Sequence, residues 1–286
     1  MADEFKSFYK KGNRKVNTWC TWNDRLDPYG CGCAHDCSYC YAKALLDFRG
    51  LWHPDAPTPA SPMQIRRTLH KMKGTGKVLR IGGMTDPFQP AELTQHVTYS
   101  LIRQLNVHRI PYLLVTKSDL VASDAYVGIM DRDLAHIQVT ITSTDDALAA
   151  TYEPGAPAPS RRIAAVERLQ ALGFDVQVRL SPFIPEYVDL DVINAIKCDK
   201  ILIEFLKVSP PIKKWFKIDY SPYTLKCGGY QHLPLARKIA LVDKITGYKE
   251  RSVGEFVPEH HAYFSTHVNA NPDDCCNLRL NKDQKI

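Results

Sequence analysis

The chain has 286 residues, 44% of them hydrophobic and 24% charged, which is material for one globular domain with at most a modest appendage, not for a disordered or fibrous protein. Its net charge of +6 suits a polyanionic partner without establishing one. No apolar run approaches the roughly 20 residues that cross a bilayer, so no membrane partner is expected. The acidic opening Met1-Ala2-Asp3-Glu4 lacks the apolar stretch of a secretory signal, which makes the expected location the cytoplasm, or the host cytoplasm for a viral source.

In chain order, short β-rich runs alternate with segments of helical period. Strands are predicted at Val16–Trp22, Val78–Gly82, Tyr112–Thr116, Ile137–Thr142, Val176–Leu180 and Ile201–Phe205. Helices are predicted at Tyr41–Phe48, Pro62–Lys73, Glu92–Asn106, Ser118–Asp131, Ser160–Leu172 and Asp189–Ile196, with Ser118 and Ser160 as N-caps and Gly173 as a C-cap. Such alternation predicts βαβ units and a parallel sheet. Six units fall short of an eightfold barrel, so the expected fold class is α/β, a partial (β/α)6 barrel over residues 1–206 with its ligands at the C-terminal ends of the strands. Pro210-Pro211, Cys227-Gly228-Gly229 and Pro234 then break the pattern, and residues 207–286 are expected to form an irregular appendage covering the open side.

Nine cysteines in a cytosolic chain call for a role other than disulfides. Four of them crowd into Cys31-Gly32-Cys33-Ala34-His35-Asp36-Cys37-Ser38-Tyr39-Cys40. Three thiolates from one tight loop can bind three irons of a cubane, leaving the fourth iron open, whereas ferredoxin motifs supply a full thiolate set. An open coordination position is the mark of a catalytic metal site. The same spacing also admits a zinc site built from Cys31, Cys33, Cys37 and Cys40.

Cys33-x3-Cys37-x2-Cys40, with Tyr39 just before the last cysteine, resembles the signature of the radical S-adenosylmethionine (SAM) superfamily. Further runs extend the likeness from about Tyr29 to Pro185: Gly82-Gly83-Met84-Thr85-Asp86-Pro87-Phe88-Gln89-Pro90, Thr116-Lys117-Ser118, Thr140-Ile141-Thr142-Ser143, Glu153-Pro154-Gly155, and Arg179-Leu180-Ser181-Pro182. Their order is similar to that of the spore photoproduct lyase group. The resemblance implies a [4Fe–4S] cluster on Cys33, Cys37 and Cys40, and SAM bound to the open iron beside Tyr39. By the chemistry of their side chains, Thr85 and Asp86 would accept from the SAM ammonium and Lys117 would meet its carboxylate. Thr140 and Thr142 would donate to carboxylate or ribose oxygens. It also implies a reductant such as a flavodoxin or ferredoxin. The Glu153-Pro154-Gly155 turn reads as structural, with Gly155 supplying unusual backbone angles.

One position departs from that group. Gly83 stands where spore photoproduct lyase carries a cysteine that returns hydrogen to its product radical. Cys31, next to the cluster, or Cys275-Cys276 in the tail would be its substitutes. The expected substrate is a thymine-derived base in DNA, with modification or isomerisation favoured over repair. The alternatives are a repair lyase and a non-enzymatic iron–sulfur or zinc module that contacts nucleic acid. Two stretches mix basic and aromatic residues as phosphate contacts and base stacking require, Phe5–Lys15 and Lys207–Lys217, though each also reads as an ordinary basic surface. A second metal site from Glu259-His260-His261, His267 and Asp273-Asp274-Cys275-Cys276 lacks paired ligand spacing and is not expected.

Overall fold

The computed structural model describes strand Tyr9–Lys10 and residues 22–280. The predicted strand Val16–Trp22 and the stretch Phe5–Lys15 lie largely outside the described residues. The elements in order are β1 (Tyr9–Lys10), β2 (Arg25–Leu26), β3 (Tyr29–Gly30), α1 (Tyr41–Asp47), β4 (Thr58–Pro59), α2 (Pro62–Met72), β5 (Leu79–Ile81), α3 (Glu92–Gln95), α4 (Val97–Val107), β6 (Tyr112–Thr116), α5 (Asp124–Val127) and β7 (Ala135–Ile141). They continue with α6 (Asp146–Tyr152), α7 (Pro159–Ala171), β8 (Asp175–Phe183), α8 (Leu190–Ala195), β9 (Lys200–Phe205), α9 (Pro210–Trp215), β10 (Leu225–Cys227), β11 (Tyr230–His232), α10 (Leu235–Val242), β12 (Glu250–Val253) and α11 (Pro258–His267).

One sheet runs in the order β1-β2-β5-β6-β7-β8-β9-β12. β1 is antiparallel to β2, and the other seven strands are mutually parallel. Five of the six expected strands thus appear, β2 joins them, and the first expected strand lies outside the described residues except for Trp22. The seventh parallel strand, β12, comes from the stretch expected to be an irregular appendage, so Leu206 does not mark the end of the sheet. β10 and β11 form a separate hairpin.

Strand alternation separates two faces. Ile137, Val139 and Ile141 of β7, Val176, Val178 and Leu180 of β8, and Ile201, Ile203 and Phe205 of β9 join the main core with the helices. The intervening residues are mostly polar and mostly buried: His136, Gln138, Thr140, Asp175, Gln177, Arg179, Lys200 and Glu204, with Leu202 as the apolar exception. A polar face buried in this way is the inside of a curved sheet, the lumen of a partial barrel. Helices α2 and α7 cover the other face at helical spacing, through Ile65, Thr68, Leu69 and Met72, and through Arg162, Ala165, Val166 and Leu169.

Two predicted helices are divided. His96, at φ +51°, splits Glu92–Asn106 into α3 and α4, while buried Glu92 caps the start of α4 by accepting from Thr98 N–H at 2.9 Å and Tyr99 N–H at 2.8 Å. Residues 118–131 form a 3-10 turn and the short α5, with Ser118 Oγ accepting from Leu120 N–H as expected of a cap. Ser160 is not the cap of α7, which starts at Pro159. Its amide and hydroxyl instead bind Asp146 at 2.9 and 2.6 Å. Gly173, at φ +79°, ends α7 as predicted.

Candidate active site at the cysteine loop

The cysteine loop follows β3, which pairs with β4, and ends at Cys40, the N-cap of α1. Tight turns fold it on itself, with Asp36 N–H donating to Cys33 O at 3.0 Å and Cys40 N–H to Cys37 O at 3.1 Å. Gln89, wholly buried, clamps the loop by accepting from Ala34 N–H at 2.9 Å. Gly155 closes the other side. A Cβ there would stand 1.8 Å from Ala34 O, and its φ lies outside the left-handed region. Close approach to the cysteine loop, not unusual backbone angles, is therefore what demands glycine at this position.

Cys33 and Cys37 are buried and Cys40 is half-buried. Burial pushes the Cys33 thiol up to about 12, with Asp86 and Cys40 among the contributing charges. Burial also raises Cys37, partly opposed by the nearby Lys117 ammonium. Thiols held this way need a compensating cation before they ionise. Among the described residues, no three His, Cys, Asp or Glu side chains converge as ligands of a single ion do. A cubane does not require that convergence, because each of three thiolates takes a different iron. The donor set therefore fits an iron–sulfur cluster better than a single zinc.

Asp86 ties the strand ends together. Its Oδ1 accepts from Thr116 Oγ1 at 2.6 Å and Phe88 N–H at 2.9 Å; its Oδ2 accepts from Lys117 N–H at 2.7 Å and lies 3.4 Å from His35 Nδ1. Burial alone would raise this carboxyl, but His35, Thr116 and the Lys117 amide outweigh it and hold it below the usual range. A carboxylate offers about four lone-pair sites, and here all are engaged within the chain. Thr85 donates its hydroxyl proton to Tyr29 O at 2.6 Å, which leaves the oxygen lone pairs able to accept.

A second network is centred on Glu153. Its Oε1 accepts from Tyr39 OH and from Thr142 Oγ1 (2.7 Å), and its Oε2 pairs with Arg162 at 2.5 Å. Both ends of the ion pair are fully buried, and burial leaves the Glu153 carboxyl raised despite the guanidinium. Of this network only Glu153, Tyr39 and Thr142 carry an expectation from the sequence, Glu153 as part of a structural turn, Tyr39 as an aromatic beside SAM and Thr142 as a donor to SAM oxygens. Tyr39 is walled by Tyr152 and Phe216, with ring centroids at 5.8 and 5.6 Å. Phe216 belongs to the Lys207–Lys217 stretch, and Lys43 lies 5.5 Å over the neighbouring Trp215 ring.

Of the six side chains expected at SAM, Lys117 and Thr140 are therefore the ones whose polar ends are not taken up by the protein. Lys117 Nζ lies 5.5 Å from the Tyr39 ring centroid and has no ion-pair partner among the described residues. Thr140 is buried in the lumen, and its carbonyl accepts from Arg162. Asp86 and Thr142 are engaged within the chain around them, the Thr85 oxygen can still accept, and only the hydroxyl of Tyr39, not its ring, is taken up. A cavity of about 540 Å³ adjoins the loop on its outer side, against His35, Gly155 and Arg161. Neither the three thiols nor Lys117 line it, so it is a neighbour of the site and not its ligand chamber.

Buried thiols on a loop at the C-terminal ends of a partial barrel, facing an uncommitted cation, define the class of metal-cluster enzyme folds. A family model described as the radical SAM superfamily matches residues 28–198, and the chain belongs to that superfamily. Its cofactors are accordingly a [4Fe–4S] cluster and SAM. Relatives include uncharacterised proteins of Mycobacterium tuberculosis (26% identical over 166 residues, 55% of this chain and 49% of the relative) and of Methanocaldococcus jannaschii (27% over 168 residues, 57% and 61%). A third, from Acidianus two-tailed virus, is 24% identical over 171 residues, covering 55% of each. The chain spans about half the length of the curated relatives it matches. The fold is similar to that of spore photoproduct lyase complexed with dinucleoside spore photoproduct (TM-score 0.62, 13% identity, 88% of this chain and 81% of that one). It is also similar to Streptococcus suis SuiB bound to SAM (TM-score 0.53, 14% identity, 87% and 54%). Among the described residues, no helix is long and apolar enough to cross a membrane.

Proposed function

We propose that the protein is a radical SAM enzyme that holds its cluster on Cys33, Cys37 and Cys40 and removes hydrogen from a thymine-derived base in DNA, as a modification or isomerisation. The observation that carries this reading is the uncommitted Lys117 ammonium beside the buried thiols. It partly offsets the negative charge of thiolates and is the natural partner of the SAM carboxylate. When bound and reduced, the cluster supplies the electron that splits SAM and generates the hydrogen-abstracting radical. Thr140 offers a hydroxyl from the lumen. Glu153 fixes the Tyr39 ring through its hydroxyl, so that the ring can stack against the adenine. Asp86 fixes the backbone of Lys117 and thereby aims its side chain.

The DNA reading is supported by the mouth of the barrel, where Lys43 and Trp215 meet and Lys214 and Lys217 are exposed, a mixture that suits phosphate contacts and stacking. Gly83 supports modification over repair. Its carbonyl accepts from Tyr41 OH, and a Cβ would stand 2.5 Å from Arg25 Cδ, so arginine carbon fills the space where a thiol would project. Cys275 and Cys276 are no replacement, because they pack with Trp22, Val78 and Leu113 near the opposite ends of the strands. Cys31 is buried beside the loop and is the nearest alternative in sequence.

The test is to incubate the reduced, reconstituted protein with SAM and either ultraviolet-irradiated or thymine-modified DNA, then to analyse digested nucleosides by mass spectrometry. A mass-neutral change in a modified thymidine supports isomerisation. Loss of a photodimer would establish repair instead. Intact SAM under reducing conditions would leave a metal-binding nucleic-acid module as the reading.

A further inference from the structure

Helix α2 carries charge of one sign on the face it turns to solvent. Arg66, Arg67, His70 and Lys71 are exposed, Lys73 and Lys77 continue the row beyond the last turn, and the helix contains no Asp or Glu. Arg67 and Lys71 are an i,i+4 pair, a spacing at which like charges destabilise a helix. Lys77 is paired, with Asp24 at 3.7 Å. Met63, at the upper end of the stripe, is an exposed apolar side chain (51%) that together with Arg66, Arg67, His70 and Lys71 lines a shallow hollow.

The position of the helix gives the stripe its meaning. Segment 53–60 lies directly against the cysteine loop: His53 N–H donates to Cys31 O at 2.7 Å, Thr58 and Pro59 pair with β3, and Ala60 N–H donates to Pro28 O at 2.8 Å. Ser61 then caps α2 through a reciprocal capping box with Gln64. The inner side chains Ile65 and Leu69 belong to the same core as Cys37 and Tyr39. The helix therefore begins at the thiol-bearing loop and descends the outer wall, away from the mouth where Trp215 and Lys43 lie. A partner seated on the first turns of this wall therefore stands beside the segment that abuts the cysteine loop, on the outside of the barrel.

We propose that the α2 stripe is the docking face for an acidic one-electron carrier protein, with Met63 as its apolar contact. The inference rests on the function proposed above. One electron leaves the reduced carrier, which is oxidised by one step, and reduces the cluster by one step; no atom or proton is transferred between the proteins. A nucleic acid fits the stripe less well, because the basic and aromatic groups suited to it stand at the mouth on α1 and α9, where the substrate base must enter.

The test uses Arg66→Glu/Arg67→Glu, two exposed positions, with Arg66→Lys/Arg67→Lys as the charge-conserving control. A flavodoxin is the probe. Its affinity for each protein is measured by calorimetry at low and high salt, and 5′-deoxyadenosine formation is followed with either flavodoxin or dithionite as reductant. Reversal is expected to weaken flavodoxin binding by at least about tenfold at low salt, with the difference shrinking at high salt. Flavodoxin-driven turnover should fall in parallel, dithionite-driven turnover should be unchanged, and the lysine variant should bind like the parent. Unaltered flavodoxin affinity overturns the inference, and loss of duplex DNA affinity in its place assigns the stripe to nucleic acid. Failure of dithionite to drive SAM cleavage in the parent protein would instead count against the proposed function, since flavodoxin binding is measured independently of turnover.

Discussion

The two ends of the barrel treat buried polar groups in opposite ways. At the N-terminal ends of the strands a buried charge network centred on Asp175 is paired within the chain, while His136 Nε2 beside it has no partner among the described residues. Asp175 accepts from Lys200 Nζ at 2.8 Å and Arg279 N–H at 2.9 Å, and lies 2.6 Å from His136 Nδ1; Lys200 also reaches Asn277 O at 2.6 Å, and Asp274 holds the Trp22 indole at 2.9 Å. At the C-terminal ends, three thiols and one ammonium are left without such partners, inside a frame whose own carboxylates, Asp86 and Glu153, are saturated. The lower end is a plug and the upper end is a receptacle. The same sheet supports both because rigidity below and around the site lets a few groups remain uncommitted within it.

The sharpest way to break this contrast is at the thiols. Cys37→Ala should abolish cluster iron and SAM cleavage, read by iron and sulfide analysis and by 5′-deoxyadenosine formation, while shifting unfolding of the metal-free protein by about 1–2 kcal/mol at most. Asp175→Ala should do the reverse. Removing one member of a buried ion network costs about 3–5 kcal/mol, seen as a lower denaturant midpoint, while reconstituted protein still binds iron. If Asp175→Ala lost the cluster but not stability, the division of labour between the two ends would be wrong.

Lys117→Met should weaken SAM binding by about tenfold or more, since a charge-assisted hydrogen bond is worth about 1.5–3 kcal/mol. Equilibrium binding checks this, and overall stability should not fall. Acidification acts on both ends, since Asp86 is also held below its ordinary range, and the comparison of the parent with Asp175→Asn isolates the lower one. His136 and Lys200 outweigh burial and hold the Asp175 carboxyl well below its ordinary value. A carboxyl depressed on folding contributes stability that is fully present above its unfolded value near 4 and is lost as pH falls toward the folded value. The parent should therefore lose stability below about pH 4 more steeply than Asp175→Asn, as read from denaturant midpoints across pH. A smaller effect is expected at Gly83→Ala, where the new Cβ meets Arg25 Cδ and must displace an arginine paired with buried Asp27, at a cost of about 1–3 kcal/mol in unfolding free energy.

Much of this was legible in the residues. Alternating β-rich and helical segments yielded five of the parallel strands, and the cysteine spacing identified the loop. β12 was missed because Glu250–Val253 is short and three-quarters polar, and it becomes a strand only when β9 offers an edge. The breaks at His96 and Ser123 were missed because helical periodicity continues through them. Among the expected SAM contacts, sequence could place Thr85, Asp86, Lys117, Thr140 and Thr142 at strand ends. It could not say which of them other groups would engage.

The sequence by itself thus determined the family chemistry, since three thiols and an adjacent tyrosine are set by spacing along a few residues. Tertiary structure decided which polar groups remain available. Asp86 is engaged by residues about 30 positions away on β6 and its loop, and Tyr39 by Glu153, more than 100 positions on. Such pairings depend on sheet order and strand register, which no local pattern encodes. The same long-range assembly brings α2 beside the cysteine loop and so turns an ordinary basic helix into a surface with a specific task.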